Sequence, residues 1–510
     1  MNTLLASVPL VVILVLMLGF RWGGAKAGIA GWISSLVIAA LWFDGTGSAL
    51  FWAQVQGFFR ALYVLYIIWG ALLFFRVTEA DGTLKGMSEI LRQLAPGQTL
   101  QVLLLAWGFT SFLQSLGGFG VPVAVVAPIL VTMGFPALDA VVICSLGLSW
   151  AVSFGSLGTS YEALVSATAI EGATVAPWMA AALAPVCLLA GLAVLRIATQ
   201  KRIPGREIGP LLTMGVAMGG VQYLSVIGGV ENIAALLGSL AGLIVGSLWA
   251  LVRRSQLSKE QIMPISPKKV ILRLLPYIIL LSIIFAINFI PLLDEVLGHW
   301  RLQVEVPSVA LRDGRTLPAG QTKAISILSH PGAQLVYAAL ITVVLAKLQD
   351  RLPSGSGAKI RAGVVRSGTK SSLGILAMMA MATTMQTVGM VSALSTAMAS
   401  LAGQAFPVIS PFIGALGAFM TGSNTNSNVL LGAFQLQVGE ALGLLIPLIL
   451  ALHNAGAAVG SVFSPAKIIV GCSTVGLSGG EGEALRRTSR VGLVIITIVA
   501  VFGLAAAQFV

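Results

Sequence analysis

The chain has 510 residues, of which 57% are hydrophobic and only 9% are charged. A water-soluble domain carries about 25% charged residues, so the composition excludes a soluble globular protein and predicts a polytopic membrane protein. The net charge of +12 does not indicate nucleic-acid binding. The basic residues lie between apolar runs, where the cytoplasmic loops of membrane proteins collect lysine and arginine.

Apolar runs long enough to cross a bilayer recur along the chain. About 20 apolar residues span the hydrocarbon core as a helix. We therefore predict an all-α protein with about 12 transmembrane helices, near residues 3–20, 27–44, 60–78, 138–157, 176–197, 208–228, 232–252, 272–293, 333–348, 371–388, 442–462 and 491–509. The first run has no positive charge before it and no small-residue cleavage site, so it is predicted to be a membrane helix rather than a signal peptide.

Two further apolar stretches are too long for one span and are interrupted near the middle. Residues 104–134 contain glycines and a proline at 117–122, and residues 409–438 contain the polar run 421–428. Non-helical backbone is tolerated at membrane depth only where it is buried in protein or lines a cavity. Each stretch is therefore predicted to be a re-entrant helical hairpin.

Charged loops predict the orientation in the cell inner (plasma) membrane. Segments 253–273 and 347–370 are rich in lysine and arginine and are predicted to be cytoplasmic. Segment 158–175 holds Glu162 and Glu171 without a basic residue and is predicted to be external. Threading the spans from these loops places both termini outside. It also places both ends of the first hairpin inside and both ends of the second hairpin outside.

An internal repeat supports this opposite arrangement of the hairpins. A shift of 305 residues places Gly117 on Gly422 and Ser156 on Ser461, and it superimposes both hairpins and the spans that follow them without a gap. We predict two inverted-topology repeats joined by a bridge of two helices and a basic cytoplasmic loop, at residues 1–205, 270–510 and 206–269 respectively. Interrupted segments in matching positions of two halves point to a transporter's binding site.

The tip of the second hairpin is a run of uncharged polar side chains inside apolar sequence. Polar groups left unpaired in hydrocarbon are costly, so these side chains need partners. Hydroxyl and amide groups at the start of a half-helix, together with its free backbone N–H groups, suit a carboxylate. The predicted substrate-binding residues of this tip are Ser423, Asn424, Thr425, Asn426, Ser427 and Asn428. The alternative is an external loop of ordinary turn residues.

The first tip has few polar side chains, so its backbone N–H groups would be the donors. The predicted contacts there are Gly118, Phe119 and Gly120, and the alternative is a simple Gly-Pro kink. In the helices that follow the two hairpins, Ser149 and Asn454 are equivalent by the repeat. Both helices are predicted to be interrupted, and both residues are predicted to face the tips across a cavity.

Ionisable residues inside spans indicate function by default. His453 is a candidate for proton coupling, because histidine ordinarily titrates at about pH 6.5; the alternative is a neutral histidine bonded to a backbone carbonyl. Lys467 either offers a cation to a carboxylate substrate or extends to the cytoplasmic interface. Gln114 precedes the first tip as a neutral polar group.

The sequence indicates no enzyme, cofactor or metal site. Cys144, Cys187 and Cys472 lie in or beside apolar runs without metal-ligand spacing, and the chain has only three histidines. No phosphate-binding Gly-Lys-Ser/Thr loop is present, which argues against ATP-driven transport by this chain alone.

Three segments carry a resemblance to a known family. The second tip reads Gly-Ala-Phe-Met-Thr-Gly-Ser-Asn-Thr-Asn-Ser-Asn over 417–428, and the first reads Gly-Phe-Gly-Val-Pro-Val-Ala over 118–124. The C-terminal region adds Ser464, Pro465 and the segment 472–477. Together they resemble the bacterial L-lactate permease family over nearly the whole chain, most specifically at the second hairpin.

The resemblance implies secondary active import of L-lactate, D-lactate or glycolate by proton symport. It places the chain near a wider group of ion transporters that carry Ser-Asn-Thr hairpin tips, matched here by Ser423, Asn424 and Thr425. The implied partners are a small carboxylate, a coupling ion (H⁺ or else Na⁺), membrane lipid and a second copy in a homodimer. The chain departs from the family at Gln114, where a glutamate is frequent, and glutamine cannot carry a proton.

Three other functions stay open. The first is sodium-coupled transport, or transport of a dicarboxylate or another organic anion, on the same scaffold; sodium dependence of uptake would distinguish it. The second is a passive anion channel, which predicts no concentrative uptake. The third is a membrane-embedded enzyme, against which the missing catalytic cluster argues.

Overall fold

Long apolar helices make up most of the described structure. The computed structural model describes residues 2–20, 22–95, 97–118, 120–200, 203–255, 267–477 and 480–508. Within these residues, 11 helices are long and apolar enough to cross a membrane, or up to 12 if a bent pair counts as one span. Helices satisfy their backbone hydrogen bonds within one segment, as lipid requires. The predicted all-α, multi-pass architecture with about 12 spans is confirmed.

Most helices before residue 205 follow the predicted spans, α3 extends well beyond its span, and α4 matches none of them. These helices are α1 (Asn2–Leu14), α2 (Gly24–Trp42), α3 (Gly47–Ala80), α4 (Thr83–Leu94), α5 (Gln98–Val102), α6 (Thr110–Leu116), α7 (Val121–Thr132), α8 (Ala137–Gly147), α9 (Gly155–Thr168) and α10 (Gly172–Thr199). A π-helical turn, Val15–Gly19, extends α1, and another, Leu103–Phe109, joins α5 to α6. A 3₁₀ turn, Ser149–Ala151, follows α8. The prediction that 158–175 is an external loop was wrong for its first part, because Gly155–Thr168 is a buried helix that continues the bent span.

The bridge and the second half continue the same pattern. The bridge contains 3₁₀ turns at Gly205–Glu207 and Glu231–Ile233 that precede α11 (Ile208–Ile227) and α12 (Ala234–Arg254). The helices that follow are α13 (Pro267–Phe289), α14 (Pro291–Gly298), α15 (Pro331–Leu348), α16 (Ser356–Thr387), α17 (Met390–Ala402), α18 (Phe406–Thr421), α19 (Asn424–Ala441), α20 (Ile446–Val462), α21 (Pro465–Thr474) and α22 (Glu481–Ala507). A 3₁₀ turn at Gly403–Ala405 joins α17 to α18.

A β-hairpin lies between α14 and α15. Its strands are β1 (Arg301–Leu302), β2 (Glu305–Val306), β3 (Val309–Ala310), β4 (Thr316–Leu317), β5 (Gly320–Gln321) and β6 (Ile325–Ser326), paired antiparallel as β1·β6, β2·β5 and β3·β4. The hairpin docks on the start of α3, where the Thr46 hydroxyl donates to the Ala310 carbonyl at 2.9 Å. Threading of the predicted spans makes residues 294–330 an external loop. Its strands are not predicted, because two-residue strands are too short to leave an alternation pattern.

Burial separates an interior of the bundle from its outer helices. The apolar windows of Gln98–Leu116 and Ile446–Thr474 are each 89% buried, whereas that of Val270–Ile287 is 28% buried. An apolar helix that is buried all round lies inside the protein, and one with an exposed apolar surface lies against lipid. The first arm of the first hairpin and the helix after the second hairpin therefore belong to the interior.

The two halves make matching contacts at the 305-residue shift. The shift relates α2 to α15 and α3 to α16; α2 packs on α16, and α15 packs on α3. Likewise α9 packs on α19 of the second hairpin, while α21, the match of α9, packs on α7 of the first. Thus α2 contacts the helix that matches α3, and α3 contacts the helix that matches α2. Two repeats related by a two-fold axis are expected to pack in this way. These contacts support the predicted repeat, and its bounds at 1–205 and 270–510 stay a prediction.

The second half differs from the sequence expectation in two places. The helix α17, Met390–Ala402, lies where only a connection between a span and the hairpin was predicted. The helix α20 runs unbroken from Ile446 to Val462, and the break follows it at Phe463 and Ser464. The prediction that α20 itself is interrupted was therefore wrong.

Close packing explains why the glycines of α20 do not break it. A Cβ atom added at Gly456 or Gly460 would meet the backbone of α18, at Pro411 and Ala415. A Cβ atom added at Gly414 of α18 would meet the backbone of α20 in return. Helices in membranes approach this closely through small residues, so these glycines hold α18 against α20.

Replacing Gly456 with alanine should destabilise the protein. The Pro411 carbonyl occupies the space that the new methyl group needs, so the helices must separate at a cost of about 1–3 kcal/mol. The measurement is the thermal unfolding midpoint in detergent. Gly220 of α11 is the control, because a Cβ there meets nothing within 4 Å. Gly220→Ala should leave the midpoint unchanged or raise it, and equal midpoints for the two variants would contradict the close contact.

Candidate functional site

Both hairpins turn sharply at glycine. The first turns between α6 and α7, where Gly120 has a φ of 82°, and the second turns at Gly422, with a φ of 72°. Side chains other than glycine rarely adopt this left-handed region. In the second tip, Ser423 caps α19, because its side chain accepts a hydrogen bond from the Asn426 amide at 3.3 Å. The prediction of two helical hairpins with their breaks at these positions agrees with the structure.

The segment after the first hairpin is bent by 55° between Ala137–Ala151 and Gly155–Thr168. Ser156, Leu157 and Gly158 all have positive φ, at 47°, 50° and 73°. Such backbone is strained for residues other than glycine and occurs preferentially at functional sites. The unwound residues place Ser156 beside the first tip, where its hydroxyl accepts a hydrogen bond from the Gly118 amide at 2.9 Å.

A cavity of about 60 Å³ lies between the two hairpin tips and the bent segment. Since roughly 10–15 Å³ holds one water molecule, the cavity has room for roughly four to six non-hydrogen atoms. It is lined by Ile68, Gln114, Gly118, Val152, Ser156, Thr159, Ser160, Gly422, Ser423, Asn424, Thr425 and Lys467. Its size therefore matches a small organic molecule.

The starts of several helices meet at this cavity. Thr159 and Ser160 lie in the first regular turn of α9, Asn424 and Thr425 begin α19, and Lys467 lies in the first turn of α21. The loop that leads into α7 also lines the cavity, through the glycine at 118. Helix N-termini carry free N–H groups and partial positive charge. Their convergence makes the cavity favourable for an anion.

A network of amide side chains connects the second tip to the helices behind it. The Asn454 side-chain oxygen accepts from the Asn424 and Asn428 amides, at 3.2 Å and 2.9 Å. The Asn454 amide donates to the Ser153 hydroxyl at 2.7 Å. The Ser160 and Thr425 hydroxyls are 3.0 Å apart and share a hydrogen bond. These buried contacts hold the tip in one position against α20, α9 and the bend that precedes α9.

Some polar atoms of this network have no partner among the described residues. They include the side-chain oxygens of Asn424 and Asn428 and the hydroxyl of Ser464. Buried acceptors usually have a hydrogen-bond partner. Asn424 itself lines the cavity, and its side-chain oxygen is the unpartnered acceptor that lies nearest to it in the chain.

Lys467 is the only cationic side chain among the described residues that line the cavity. Its ammonium group donates to the Ser461 hydroxyl at 3.1 Å, and it is paired with no described carboxylate. The sequence leaves open whether this lysine meets a substrate or the membrane interface. The structure places it at the cavity.

The predicted site residues fall into three groups. The first group lies at the site. The cavity is lined by Gly118, Ser423, Asn424 and Thr425, and the network around it includes Asn428 and Asn454. The second group supports the tip without reaching the cavity and consists of Gly120, Asn426 and Ser427. Ser149 and His453 are buried elsewhere, and Phe119 lies outside the described residues.

The sequence predicted that Ser149 faces the hairpin tips, but the structure does not bring it there. Its hydroxyl donates to the Leu146 carbonyl of its own helix, at 2.8 Å. Ser153 contacts Asn424 and Asn454 instead. The helix α8 ends at Gly147, whereas α20 stays helical beyond Asn454. Ser149 and Asn454, which match in the repeat, therefore do not occupy equivalent positions in space.

His453 is fully buried in α20, and neither ring nitrogen has a hydrogen-bond partner among the described side chains and backbone groups. It does not line the cavity but is adjacent in sequence to Asn454, the centre of the amide network. Its role in proton coupling stays a prediction. No described group of His, Cys, Asp and Glu residues could hold a metal ion.

Comparisons with known proteins give one consistent result. The family model for L-lactate permease matches residues 2–510. The L-lactate permease of Escherichia coli K12 is 26% identical, covering 98% of this chain and 95% of that protein. The L-lactate permease of Streptococcus iniae is 26% identical over 87% of this chain and 92% of its own length. The glycolate permease GlcA of Escherichia coli K12 is 26% identical over 99% and 95%.

A solved structure is also similar to this chain. The YdaH transporter of Alcanivorax borkumensis has 15% sequence identity and a TM-score of 0.49, covering 90% of this chain and 88% of that one. The family match runs over nearly all of the sequence and includes both hairpins and the polar cavity between them. The chain belongs to the L-lactate permease family.

Proposed function

We propose that this protein is a secondary active transporter that imports small 2-hydroxy monocarboxylates: L-lactate, D-lactate and glycolate. The observation that carries the proposal is the convergence of helix N-termini and Lys467 on a cavity sized for roughly four to six non-hydrogen atoms. Glycolate and lactate have five and six such atoms. The relatives named L-lactate permease and glycolate permease support the same substrate class.

The substrate carboxylate would lie between Lys467 and the first amides of α19. The amides of Asn424 and Thr425 precede the first backbone hydrogen bond of that helix, which Ser427 donates to Ser423 at 3.1 Å. They are therefore available to an anion. The 2-hydroxyl group of the substrate would donate to the free side-chain oxygen of Asn424. An alkanoate without the hydroxyl would leave that oxygen unpaired and should bind less tightly.

In this proposal, each hairpin closes the cavity toward one side of the membrane. The loop charges place both termini outside and the two hairpins on opposite sides. Ion pairs support the threading, because they join segments that the charge rule assigns to the cytoplasm: Arg351 with Asp81 at 2.7 Å and Arg487 with Asp139 at 3.1 Å. The matching contacts of the two halves suit an exchange of inward-open and outward-open states.

Protons are the proposed coupling ion, with His453 as the candidate carrier. Gln114 lines the cavity and cannot titrate, whereas His453 lies next to the amide network. Sodium is the alternative that one observation favours, since the unpartnered oxygens of Asn424 and Asn428 are ligands of the kind that hard cations accept.

Uptake of labelled L-lactate into proteoliposomes tests the function and the coupling together. An inward proton gradient should drive accumulation above the external concentration, and a sodium gradient alone should not. Accumulation driven only by sodium would reject the proton assignment. Equilibration without accumulation would indicate a passive channel, and absence of lactate flux would reject the substrate class.

The hydroxyl groups of Ser153 and Ser149 should differ in their effect on uptake. Ser153→Ala removes the acceptor of the Asn454 amide and should lower the kcat/KM of uptake roughly tenfold, since an unpaired buried donor costs about 1–3 kcal/mol. Ser149→Ala removes only a bond to its own helix and should change uptake less than twofold. The reverse order would show that the repeat, rather than the observed contacts, identifies the functional serine.

A further inference from the structure

A second polar cavity lies away from the hairpin tips. It measures about 230 Å³ and is enclosed by α3, α9 and the strand region of the β-hairpin. The polar residues that line it are Gln56, Arg60, Ser166, Gln321, Thr322 and Lys323. Ala169 and Ile170, which follow α9 in the segment predicted to be external, also line this cavity. It therefore lies on the outer side in the proposed orientation.

Two cations line this cavity without an ion-pair partner among the described residues. The Arg60 guanidinium donates only to neutral oxygens, those of the Gln386 side chain at 3.1 Å and the Ala167 backbone at 3.4 Å. The Lys323 ammonium lies over the Tyr63 ring, 4.7 Å from its centre. Glu162 is the carboxylate within electrostatic reach of Lys323, and it faces Tyr63. The cavity walls therefore carry net positive charge.

A third group in the cavity lacks a partner. Ser166 is 3% exposed, and its hydroxyl makes no hydrogen bond to any described residue. Buried hydroxyls are nearly always paired. An unpaired donor beside an arginine and a lysine has the composition of an anion site, in which charge-assisted hydrogen bonds hold an oxyanion.

The outer cavity is connected to the central one through two shared helices. On α9, Ser160 lines the central cavity and Ser166 lines the outer one, a separation of about 9 Å along a helix. On α3, Ile68 lines the central cavity and Arg60 lines the outer one. Tyr63 lies between Arg60 and Ile68 on α3, and Glu162 lies between Ser160 and Ser166 on α9. Both therefore lie between the two cavities.

We infer that Arg60, Lys323 and Ser166 form an outer binding site, where a small carboxylate is captured before it passes Tyr63 and Glu162 to the central cavity. This inference rests on the proposed function, because it takes its ligand from it. A positively charged recess at the entrance raises the local concentration of an anionic substrate and the rate at which it associates.

Transport kinetics provide the first test. Arg60→Gln and Lys323→Gln should each raise the KM for external L-lactate about five- to twentyfold in proteoliposomes, with kcat within twofold. The effect should shrink at high ionic strength, because salt screens the attraction of exposed charges. Lys359→Gln is the control, since Lys359 is exposed at the start of α16 and lines neither cavity. An unchanged KM in both outer variants, or an equal rise in the control, would overturn the inference.

Binding stoichiometry separates failure of the outer site from failure of the central one. Titration of the purified full chain with sodium L-lactate should give two sites for the unaltered protein and one for the Arg60→Gln, Lys323→Gln double variant. Asn424→Ala should also retain one site, the outer one. A single site that Asn424→Ala removes and the double variant keeps would overturn the outer site alone. Absence of lactate binding to the unaltered protein would reject both proposals. Binding of chloride, but not of lactate, at the outer site would reject a carboxylate as the ligand of that site.

Lys323 keeps this test informative if the arginine variant fails to fold. It is half-buried on the β-hairpin, where a neutral side chain of similar length disturbs no described hydrogen bond. Monodispersity in size-exclusion chromatography identifies folded variants. A folded Lys323→Gln protein with unaltered KM and two lactate sites would contradict the inference by itself.

Discussion

Uptake of L-lactate by the Asn424→Ala variant should fall about thirtyfold or more in kcat/KM. Asn424 makes two contacts through its side-chain amide, which donates to Asn454 and Ser153, and its side-chain oxygen has no described partner. Removing it leaves those acceptors under-bonded and removes a contact with the substrate hydroxyl. Two losses of about 1–3 kcal/mol each amount to a factor of about thirty or more, at about 1.4 kcal/mol per tenfold.

The neighbouring Asn426 is the comparison for this variant. It belongs to the same polar run, but its side chain does not line the cavity. Asn426→Ala should retain most of the uptake at equal abundance in the membrane. If both variants lost uptake equally, the polar run would act as a unit and the assignment of Asn424 to substrate contact would fail. Unchanged uptake by Asn424→Ala would reject the site altogether.

The Lys467→Gln variant should show a comparable defect, seen mainly as weaker substrate binding. No other described cation lines the central cavity, so its loss leaves a carboxylate there without a counter-charge. Truncating one partner of a buried charged pair costs about 2–5 kcal/mol. The dissociation constant for L-lactate should therefore rise about thirtyfold or more, as measured by titration of the purified protein.

A substrate without a charge distinguishes this effect from misfolding. Lactamide has the shape of lactate but no carboxylate, so its weak binding should be the same in Lys467→Gln and in the unaltered protein. Lys359→Gln removes a charge from an exposed position of α16 and should leave lactate binding unchanged. Equal lactate affinity in Lys467→Gln would assign the lysine to the membrane interface, the alternative that the sequence leaves open.

Hydropathy and composition predict most of the fold, because lipid permits few alternatives to the helix. The spans, the two hairpins and the polar second tip follow from runs of apolar residues and from the groups that interrupt them. The helix α17 was missed because its small residues, in Met390–Ala402, resemble a connection between two longer apolar runs. The β-hairpin was missed because its strands pair only two residues at a time.

The site was predicted less completely than the fold. The polar run at the second tip can be recognised from the sequence, since six uncharged polar residues inside apolar sequence need hydrogen-bond partners. Ser153, Ser156, Thr159 and Ser160 were not predicted, although a cluster of hydroxyls in a buried segment gives the same signal more weakly. Which of them reaches the cavity depends on the unwinding at Ser156 to Gly158, and backbone torsions of this kind leave no periodic pattern in the sequence.

The matching contacts of the two halves have a consequence for how the chain is made. The helix α3 packs on α16, which begins roughly 280 residues after α3 ends. At about 5–20 residues per second, the ribosome completes α16 roughly 15–60 s after α3. Until then, the buried face of α3 (Gly57 and Gly70 among its residues) must be covered by lipid or by an insertion factor. Neither half can bury its own interior alone. Two separately encoded halves should therefore accumulate in the membrane only when both are synthesised together.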